Sequence, residues 1–497
     1  MKESTGGASQ SSSTARPGRC PEAVKGRAEF EYSVECMTRL LLLILLATQI
    51  ACAPLAEFKR PVAPVPAVWS AAPAAPAFDA SRVHWDRYFV DPRLRALIAA
   101  ALQNNRDLKV AISRVQEARA QFGIVRADSL PALNLLGRAS LDHTASQALA
   151  STSTSERYDL SLSSVSFEAD FWGRIANLTE AARNSYLASE DARRAVQLSL
   201  IAEVANAYFM LSHHEAQLKL ARETVHLRAQ SLEIIGRGLD IGASYDLELQ
   251  ESAALLESAR SVTAALQHQI NVSTHQLDFL VGHAQTDLPQ GLALDEQALE
   301  SDLAPGLPAE VLLLRPDVMA AEKRLAASHA NVAAARAAFL PKVVLTASMG
   351  LASAGLSSLF QSGAWAFQPA ISLPLFDGGR LNASMDLAQA RKLTAVADYE
   401  RTIQQAFREV ADQLSSRASL AAQMRSALAV RQAQLRRLEI TQARYRAGLI
   451  GYLEVLEAER EALAAHQTST QLRRAQLEAA TQLYKALGGG SQTGTPA

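Results

Sequence analysis

The tightest constraint on this chain is that it contains one unit twice, so that whatever folds the first half must also fold the second. Ala127-Asp128-Ser129-Leu130-Pro131 recurs as Ala337-Ala338-Phe339-Leu340-Pro341, and Phe171-Trp172-Gly173-Arg174 recurs as Asp377-Gly378-Gly379-Arg380. Gly242, Leu247 and Glu248 recur as Gly448, Leu453 and Glu454. The landmarks keep their order at an offset of about two hundred residues. Each copy reads as helix, strand pair, very long helix, glycine-marked turn and returning helix.

In the second copy Ile403, Phe407, Val410, Leu414, Ala421, Met424, Leu428, Leu435, Leu438 and Tyr445 keep the spacing of a coiled-coil seam. Ile201, Val204, Tyr208, Leu211, Leu218, Val225 and Leu232 keep it in the first. Each long helix is expected to run for roughly 60 residues, about 90 Å. Gly236, Gly238 and Gly242 break the first and Gly448 and Gly451 the second, because glycine adopts turn conformations that other residues resist. Returning helices then reach Val281-Gly282 and Leu487-Gly488, which makes two long antiparallel hairpins.

Between helices the period changes to two. Leu133, Leu135, Gly137, Ala139 and Leu141 alternate with polar residues, as do Val343, Leu345, Ala347, Met349 and Leu351, which is the pattern of strands. Trp365, Phe367, Ile371, Leu373 and Leu375 form a third apolar face, and Tyr158, Leu160 and Leu162 start a fourth whose phase slips at Ser163-Ser164, where a bulge is expected. Residues 143–157 and 353–363 read as exposed loops. Strands of about ten residues are long enough to cross a bilayer when tilted. Four cannot close a barrel, and open edges do not survive in lipid, so strands in a membrane require oligomerisation. On periodicity alone, a soluble sheet packed on helices is equally open.

Forty-nine Lys plus Arg against fifty Asp plus Glu leave no basic surplus, which argues against nucleic acid as a partner. Cys20, Cys36 and Cys52 are the only cysteines, so neither a disulfide framework nor a cysteine metal site is expected in the body. The apolar run Leu40 to Ala51 is too short to span a bilayer and has the size of a signal-peptide core, with Met37-Thr38-Arg39 just ahead of it. No helix is expected to cross a membrane. Gln49-Ile50-Ala51-Cys52 looks like a bacterial lipobox, with Gln49 where Leu is usual; Cys52 is the expected lipidation site.

The expected division is therefore 1–36, an extension ahead of the natural start; 37–51, a signal peptide; and 52–90, a lipid-anchored Pro/Ala-rich tether. Residues 91–282 form the first repeat, with its strand pair at 131–172 and hairpin at 174–281. A linker or equatorial segment occupies 283–308. The second repeat covers 309–488, with strands at 342–376 and a hairpin at 380–487, and 489–497 is a flexible tail. No catalytic constellation, cofactor cradle or metal site is expected. His213-His214-Glu215 lacks zinc spacing and reads as an exposed helical surface, and Gly236, Gly238 and Gly242 follow a helix rather than a strand, unlike a dinucleotide fingerprint.

Several segments resemble the outer-membrane efflux proteins of Gram-negative bacteria, in particular the lipoprotein branch that works with resistance-nodulation-division pumps. They are Gly306-Leu307-Pro308-Ala309-Glu310-Val311-Leu312-Leu313-Leu314-Arg315-Pro316-Asp317-Val318, Ala334-Ala335-Arg336-Ala337-Ala338-Phe339-Leu340-Pro341, Tyr445-Arg446-Ala447-Gly448 with Tyr452-Leu453, and Phe167-Glu168-Ala169-Asp170-Phe171-Trp172-Gly173-Arg174. The resemblance covers nearly everything from Cys52 to Gly488. It implies a mainly α chain with a β-barrel portion, assembled as a homotrimer in which twelve strands close a barrel and twelve helices continue it as a periplasmic tunnel. It implies an outer-membrane, lipid-anchored location, with a periplasmic adaptor and an inner-membrane pump as partners.

The resemblance also places a periplasmic gate at Glu454 and Glu457, with Leu453 as an apolar ring and Tyr445 as a phenol holding hairpins closed. It places adaptor contacts at the turns that carry Gly242, Tyr245, Asp246, Gly448, Gly451 and Tyr452. An Arg of the family's inter-helix lock is replaced here by Ile450. Glu454 and Glu457 lie at i, i+3, as do Glu248 and Glu251 in the first copy, which is also how a solvated helix face looks. The expected function is a passive exit duct for drugs or other small toxic compounds. The alternatives are a duct for protein or polysaccharide secretion and, from another class, a soluble coiled-coil scaffold, which would leave apolar strand faces unexplained.

Overall fold

The structure, a computed structural model, describes residues 58–66, 78–79, 83–146, 151–242, 244–284, 288–299, 303–304, 312–361 and 363–490. The signal peptide, Cys52 and the whole of the Gly306 to Val311 stretch lie outside the described residues. In chain order the elements are β1 (Phe78–Asp79), α1 (Trp85–Tyr88), α2 (Pro92–Asn104), α3 (Arg106–Ala127), β2 (Asn134–Ser146), β3 (Ser151–Ala169), α4 (Arg174–Asp240), α5 (Asp246–Val281) and β4 (Leu303–Ala304). There follow α6 (Pro316–Ala337), β5 (Lys342–Ser353), a 3-10 turn (Leu356–Gln361), β6 (Gly363–Ser372), α7 (Arg380–Arg446) and α8 (Tyr452–Ala486).

The duplication is visible in the element lengths. Helices α3 and α6 both have 22 residues, α4 and α7 both have 67, and α5 and α8 have 36 and 35. Helix α4 has a stretch long and apolar enough to cross a membrane. Val204, Tyr208, Phe209 and Leu211 of that helix are nevertheless buried in the protein core with Leu97, Ile98, Ile403 and Leu483, so their apolar surface is already covered. Helix α4 also continues through Gly236 and Gly238 to Asp240; only Gly242, at φ +70°, takes the left-handed turn. Two glycines expected to break the helix are thus carried inside it, where their cost is set against a hairpin packed along its length.

Two charged knots hold the middle of the chain. Asp91, 1% exposed, caps α2 by accepting from the amides of Arg93 and Leu94, and also accepts from the Tyr208 hydroxyl at 2.7 Å, the Leu292 amide at 3.0 Å and the Gln297 side chain. One carboxylate thus ties α2, α4 and the segment at 288–299 together. A side chain at Gly291 would run into the Tyr208 hydroxyl, so the close approach needs glycine. In the second repeat, buried Arg315 donates to both carboxylate oxygens of Asp317, to Glu409 at 2.8 Å and to the Ala486 carbonyl at 3.0 Å. This joins the start of α6, the middle of α7 and the end of α8, and gives the Leu314-Arg315-Pro316-Asp317 motif its physical meaning.

Several expectations change. The Pro/Ala-rich segment is extended at 58–66 but is laid on the protein: Arg60 pairs with Glu322 at 2.8 Å, the Phe58 ring meets His329, and Ala63 and Val65 pack on the core. The Gly489 amide closes the end of α8 by donating to the Tyr484 carbonyl at 2.9 Å, the Tyr484 ring stacks on Tyr88 at 4.3 Å, and residues 491–497 lie outside the described residues. His213 is buried rather than exposed, and burial, reinforced by Arg474 and His214, pushes its pKa down to about 4. An imidazole so placed stays neutral near pH 7 and serves packing. Among the described residues no group of acidic, His or Cys side chains could hold a metal.

Burial alone would push the Asp91 carboxyl up, but hydrogen bonds from Tyr208, Gln297, Leu292 and Arg93 outweigh it and hold the group below the usual carboxylate range. A depressed carboxyl contributes stability that is present above its unfolded pKa and lost as pH falls through its folded pKa. Asp91→Asn should therefore lower stability at neutral pH by about 1–3 kcal/mol and reduce the further loss below about pH 4, as measured by urea unfolding in detergent across a pH series.

Candidate membrane wall and periplasmic tip

The four long strands form one antiparallel sheet in the order β2-β3-β5-β6, which leaves the outer edges of β2 and β6 without a partner strand among the described residues. Register decides the faces. Leu135, Leu162, Met349 and Trp365 lie across the sheet in one row, and Phe167, Leu345 and Pro369 in another on the same side. That face stands open: Leu135 is 75% and Trp365 82% exposed. The opposite face carries Asn134, Ser163 and Ser348 in one row and Arg138 with Asp159 in another. Such a sheet has an oily side and a wet side.

The phase slip sits between Ser164 and Phe167, where β3 uses three steps against two in β5, with Ser166 at φ +59°. One extra residue shifts the alternation of β3 by one, so Leu160 and Leu162 before the bulge and Phe167 and Ala169 after it all stay on the apolar side. At Gly350 the β3 backbone comes so close that a Cβ would meet the Leu160 carbonyl. The first hairpin is longer than expected: β2 and β3 stay paired out to Ser146 and Ser151, so most of the Ser/Thr-rich stretch read as loop is strand.

Where sheet turns into helix, Glu168 binds Arg174 through both oxygens at 2.7 Å and Lys342 at 2.7 Å, while the Trp172 indole donates to the Pro341 carbonyl at 2.6 Å. Asp170 caps α4 through the Ala176 amide, and Asp377 caps α7 through the Gly379 and Leu381 amides. Gly173 and Gly379, at φ +73° and +86°, make the two bends. These contacts account for the Phe167 to Arg174 signature and lock both repeats where strands meet helices.

At the other end lie the turns. Gly242 and Gly448 take the left-handed conformation, whereas Gly451 does not and precedes α8 in extended form. Tyr245 is exposed, and its amide donates to Glu248, so this glutamate caps α5 at a site with no counterpart at Glu454. Asp246 begins α5. The Tyr445 ring meets Tyr452 at 5.4 Å. Leu453, 69% exposed, and Glu457 line a groove of about 860 Å³ together with Arg228, Glu251, Leu255 and Arg460; Glu454 is exposed beside it and is not part of its lining. The structure thus groups Leu453 with Glu457 and Tyr445 with Tyr452.

One pair escaped the sequence reading. Arg228, buried on α4, has Nη1 at 3.0 Å from Oε2 of Glu459 on α8. Burial pushes the Glu459 carboxyl up, with Arg228 opposing. The heptad pattern did not mark it: in the spacing of Val225 and Leu232 the intervening seam position is Ala229, next to Arg228.

Comparison with known proteins follows the same two blocks. The family model described as outer membrane efflux protein matches residues 97–283 and 307–489. The cation efflux system protein CusC of Escherichia coli K12 is 40% identical over 444 residues, 87% of this chain and 95% of its own length. The toluene efflux pump outer membrane protein TtgC of Pseudomonas putida is 37% identical over 92% of this chain and 97% of its own. The open state of the MtrE outer membrane channel of Neisseria gonorrhoeae superposes with a TM-score of 0.82 at 34% identity, covering 88% of this chain and 98% of that one. By family match, sequence and architecture, this chain belongs to the outer membrane efflux protein family and is the outer-membrane channel component of an efflux system.

Proposed function

We propose that three copies of this chain close a twelve-stranded barrel in the outer membrane and a helical tunnel beneath it, and that the assembly is a passive exit duct for small toxic compounds. The observation that carries this reading is the four-stranded sheet with one exposed apolar face and two open edges. A bilayer leaves no water to satisfy unpaired strand edges, and pairing β6 of one copy with β2 of the next removes them all. The driving energy comes from an inner-membrane pump, reached through a periplasmic adaptor that touches the turns around Gly242 to Asp246 and Gly448 to Tyr452. Cys52 carries the lipid anchor, and Ala53 stands where an Asp would retain a lipoprotein at the inner membrane. Relatives named for cation efflux and for toluene efflux share this architecture, which fits a duct with little recognition of its own. Those names also favour efflux over secretion of protein or polysaccharide.

Native mass spectrometry in detergent should show three chains, each with a mass increment of two or more acyl chains at a mature N-terminal Cys52. A stable membrane-inserted monomer, or an unmodified N-terminus starting elsewhere, contradicts the trimer or the anchor respectively. Leu135→Arg should cost about 2–4 kcal/mol of barrel stability near the bilayer midplane, and Gln368→Arg on the wet face far less, as read from the temperature at which the trimer dissociates.

The gate is assigned to the tip of the second hairpin. Threefold symmetry turns Glu454 and Glu457 into rings of carboxylates around the narrowest part of the tunnel, with Leu453 adding an apolar ring and the Tyr445–Tyr452 contact steadying the hairpin. Such rings attract cations and repel anions, so the resting channel should be cation-selective and blocked by multivalent cations. Single-channel recording of Glu454→Gln with Glu457→Gln should show weaker selectivity and weaker block. Unchanged values for both would return these glutamates to the role of a solvated helix face.

A further inference from the structure

The extended segment at 58–66 shows which way α6 faces. It touches Glu322 through Arg60 and His329 through Phe58, and Arg336 follows one heptad further on, so these three side chains share one face of the helix. In the duct reading this segment leads back to the lipid anchor and cannot pass through a closed wall, so that face is the outside of the tunnel. The opposite face of α6 then looks into the lumen. At about 100° per residue, Asn331 and Ala338 lie roughly 180–200° round the helix from His329.

That inner face carries a cleft. About 390 Å³ of space opens where the sheet gives way to helices, between the first turns of α4, the last turns of α6 and the early turns of α7. Two guanidiniums, Arg174 and Arg391, line it, and Ser328, Asn331 and Ser384 add neutral polar groups. Among the described residues no carboxylate belongs to the lining. Glu168 holds Arg174 through both oxygens but also carries Lys342, so one negative charge is shared by two cations. Asp128 and Asp170 also act on Arg174, although neither lines the cleft. Arg391 is exposed and has no ion-pair partner among the described residues.

The duplication supplies an internal comparison. At the offset that aligns Ala127 with Ala337, the first copy has Ile124, Val125 and Asp128 where the second has Ala334, Ala335 and Ala338 on the floor of the cleft. The first copy fills these positions with apolar bulk and a carboxylate. The second leaves them small and uncharged.

We propose that this cleft is a luminal binding site for organic anions, in which a carboxylate, sulfonate or phosphate group lies between Arg391 and Arg174 and its apolar frame rests on the alanine floor. The inference rests on the duct reading, which closes the lumen around the cleft; threefold symmetry gives three such sites where the tunnel meets the barrel. A guanidinium suits these groups because its fork donates two parallel hydrogen bonds to a pair of oxygens. Solvent keeps the attraction weak, which fits a duct that must release what it holds. The two ends of the tunnel then act differently on charge: the acidic tip repels anions while it is closed, and the cleft holds those that an opened tip lets in.

Naphthalene-1,5-disulfonate, a rigid dianion with an apolar frame, serves as the probe on the full-length trimer. Added from the barrel side to single channels in planar bilayers, it should reduce the current. The concentration needed should rise several-fold in Arg391→Gln and in Asn331→Asp, which keeps the side-chain size but places a carboxylate in the cleft. Arg336→Gln removes a guanidinium from the outer face and should leave the block unchanged. Equilibrium dialysis of the probe against the detergent-solubilised protein should give the same ranking without requiring conduction. A probe that is bound equally by wild type and Asn331→Asp, or that is weakened as much by Arg336→Gln as by Arg391→Gln, overturns the site. Channels that form but neither bind the probe nor are blocked by it overturn the site and leave the duct standing. The expected ranking in dialysis with no channel in the bilayer overturns the duct reading and leaves the anion site standing.

Discussion

A bilayer offers no hydrogen bonds, and among the described residues this chain brings four strands to it. Nearly every other feature can be ordered by that shortage. Because β2 and β6 end the sheet with bare edges, each copy must find another, and symmetry is required before the wall exists at all. The apolar row through Leu135, Leu162, Met349 and Trp365 has the same origin: it is exposed on one copy because lipid, not protein, covers it. The bulge before Phe167 keeps that row continuous where β3 would otherwise turn its side chains inward.

A wall of strands set on a tube of helices needs rigid junctions and a rigid waist, and both are made from charge. Glu168 with Arg174 and Lys342 fixes one junction, and the Asp170 and Asp377 caps fix the helices that leave the sheet. Lower down, Asp91 and Arg315 each join several partners from separate elements: losing Asp91 leaves the buried Tyr208 and Gln297 side chains without their acceptor, and losing Arg315 unties Asp317, Glu409 and the Ala486 carbonyl.

How far the sequence disclosed this depended on the scale of the signal. The hairpins were legible because a seam repeated over many heptads is hard to mistake, and the strands because two copies of one alternating pattern supported each other. The loop read at 143–157 was lost because the antiparallel ladder of β2 and β3 is made by backbone groups, which pair without the apolar alternation that marks a strand in the sequence. Gly236 and Gly238 misled because packing along a whole hairpin outweighs a helix penalty of about 1 kcal/mol per glycine. His213 looked exposed because a polar pair on a helix usually is, and only the arrival of Arg474 from α8 showed it enclosed. The residues around the tip were named through resemblance, and their grouping came from tertiary contact: spacing put Glu454 and Glu457 on one face, but only the returning helices set Glu457 in a groove with Arg228 and Glu251.

The seam itself explains why the tip and the waist behave differently. Along α4 the core positions Ile201, Val204, Tyr208 and Leu211 are buried and mutually packed, so separation there would expose a continuous apolar surface. Nearer the turn the α4 seam residues Val225 and Leu232 are only half-buried, and in α7 the seam residues Leu428 and Leu435 already stand exposed on the single chain. Cohesion therefore falls along the hairpin from waist to tip. That gradient is obtained within one heptad pattern by changing which residues occupy it.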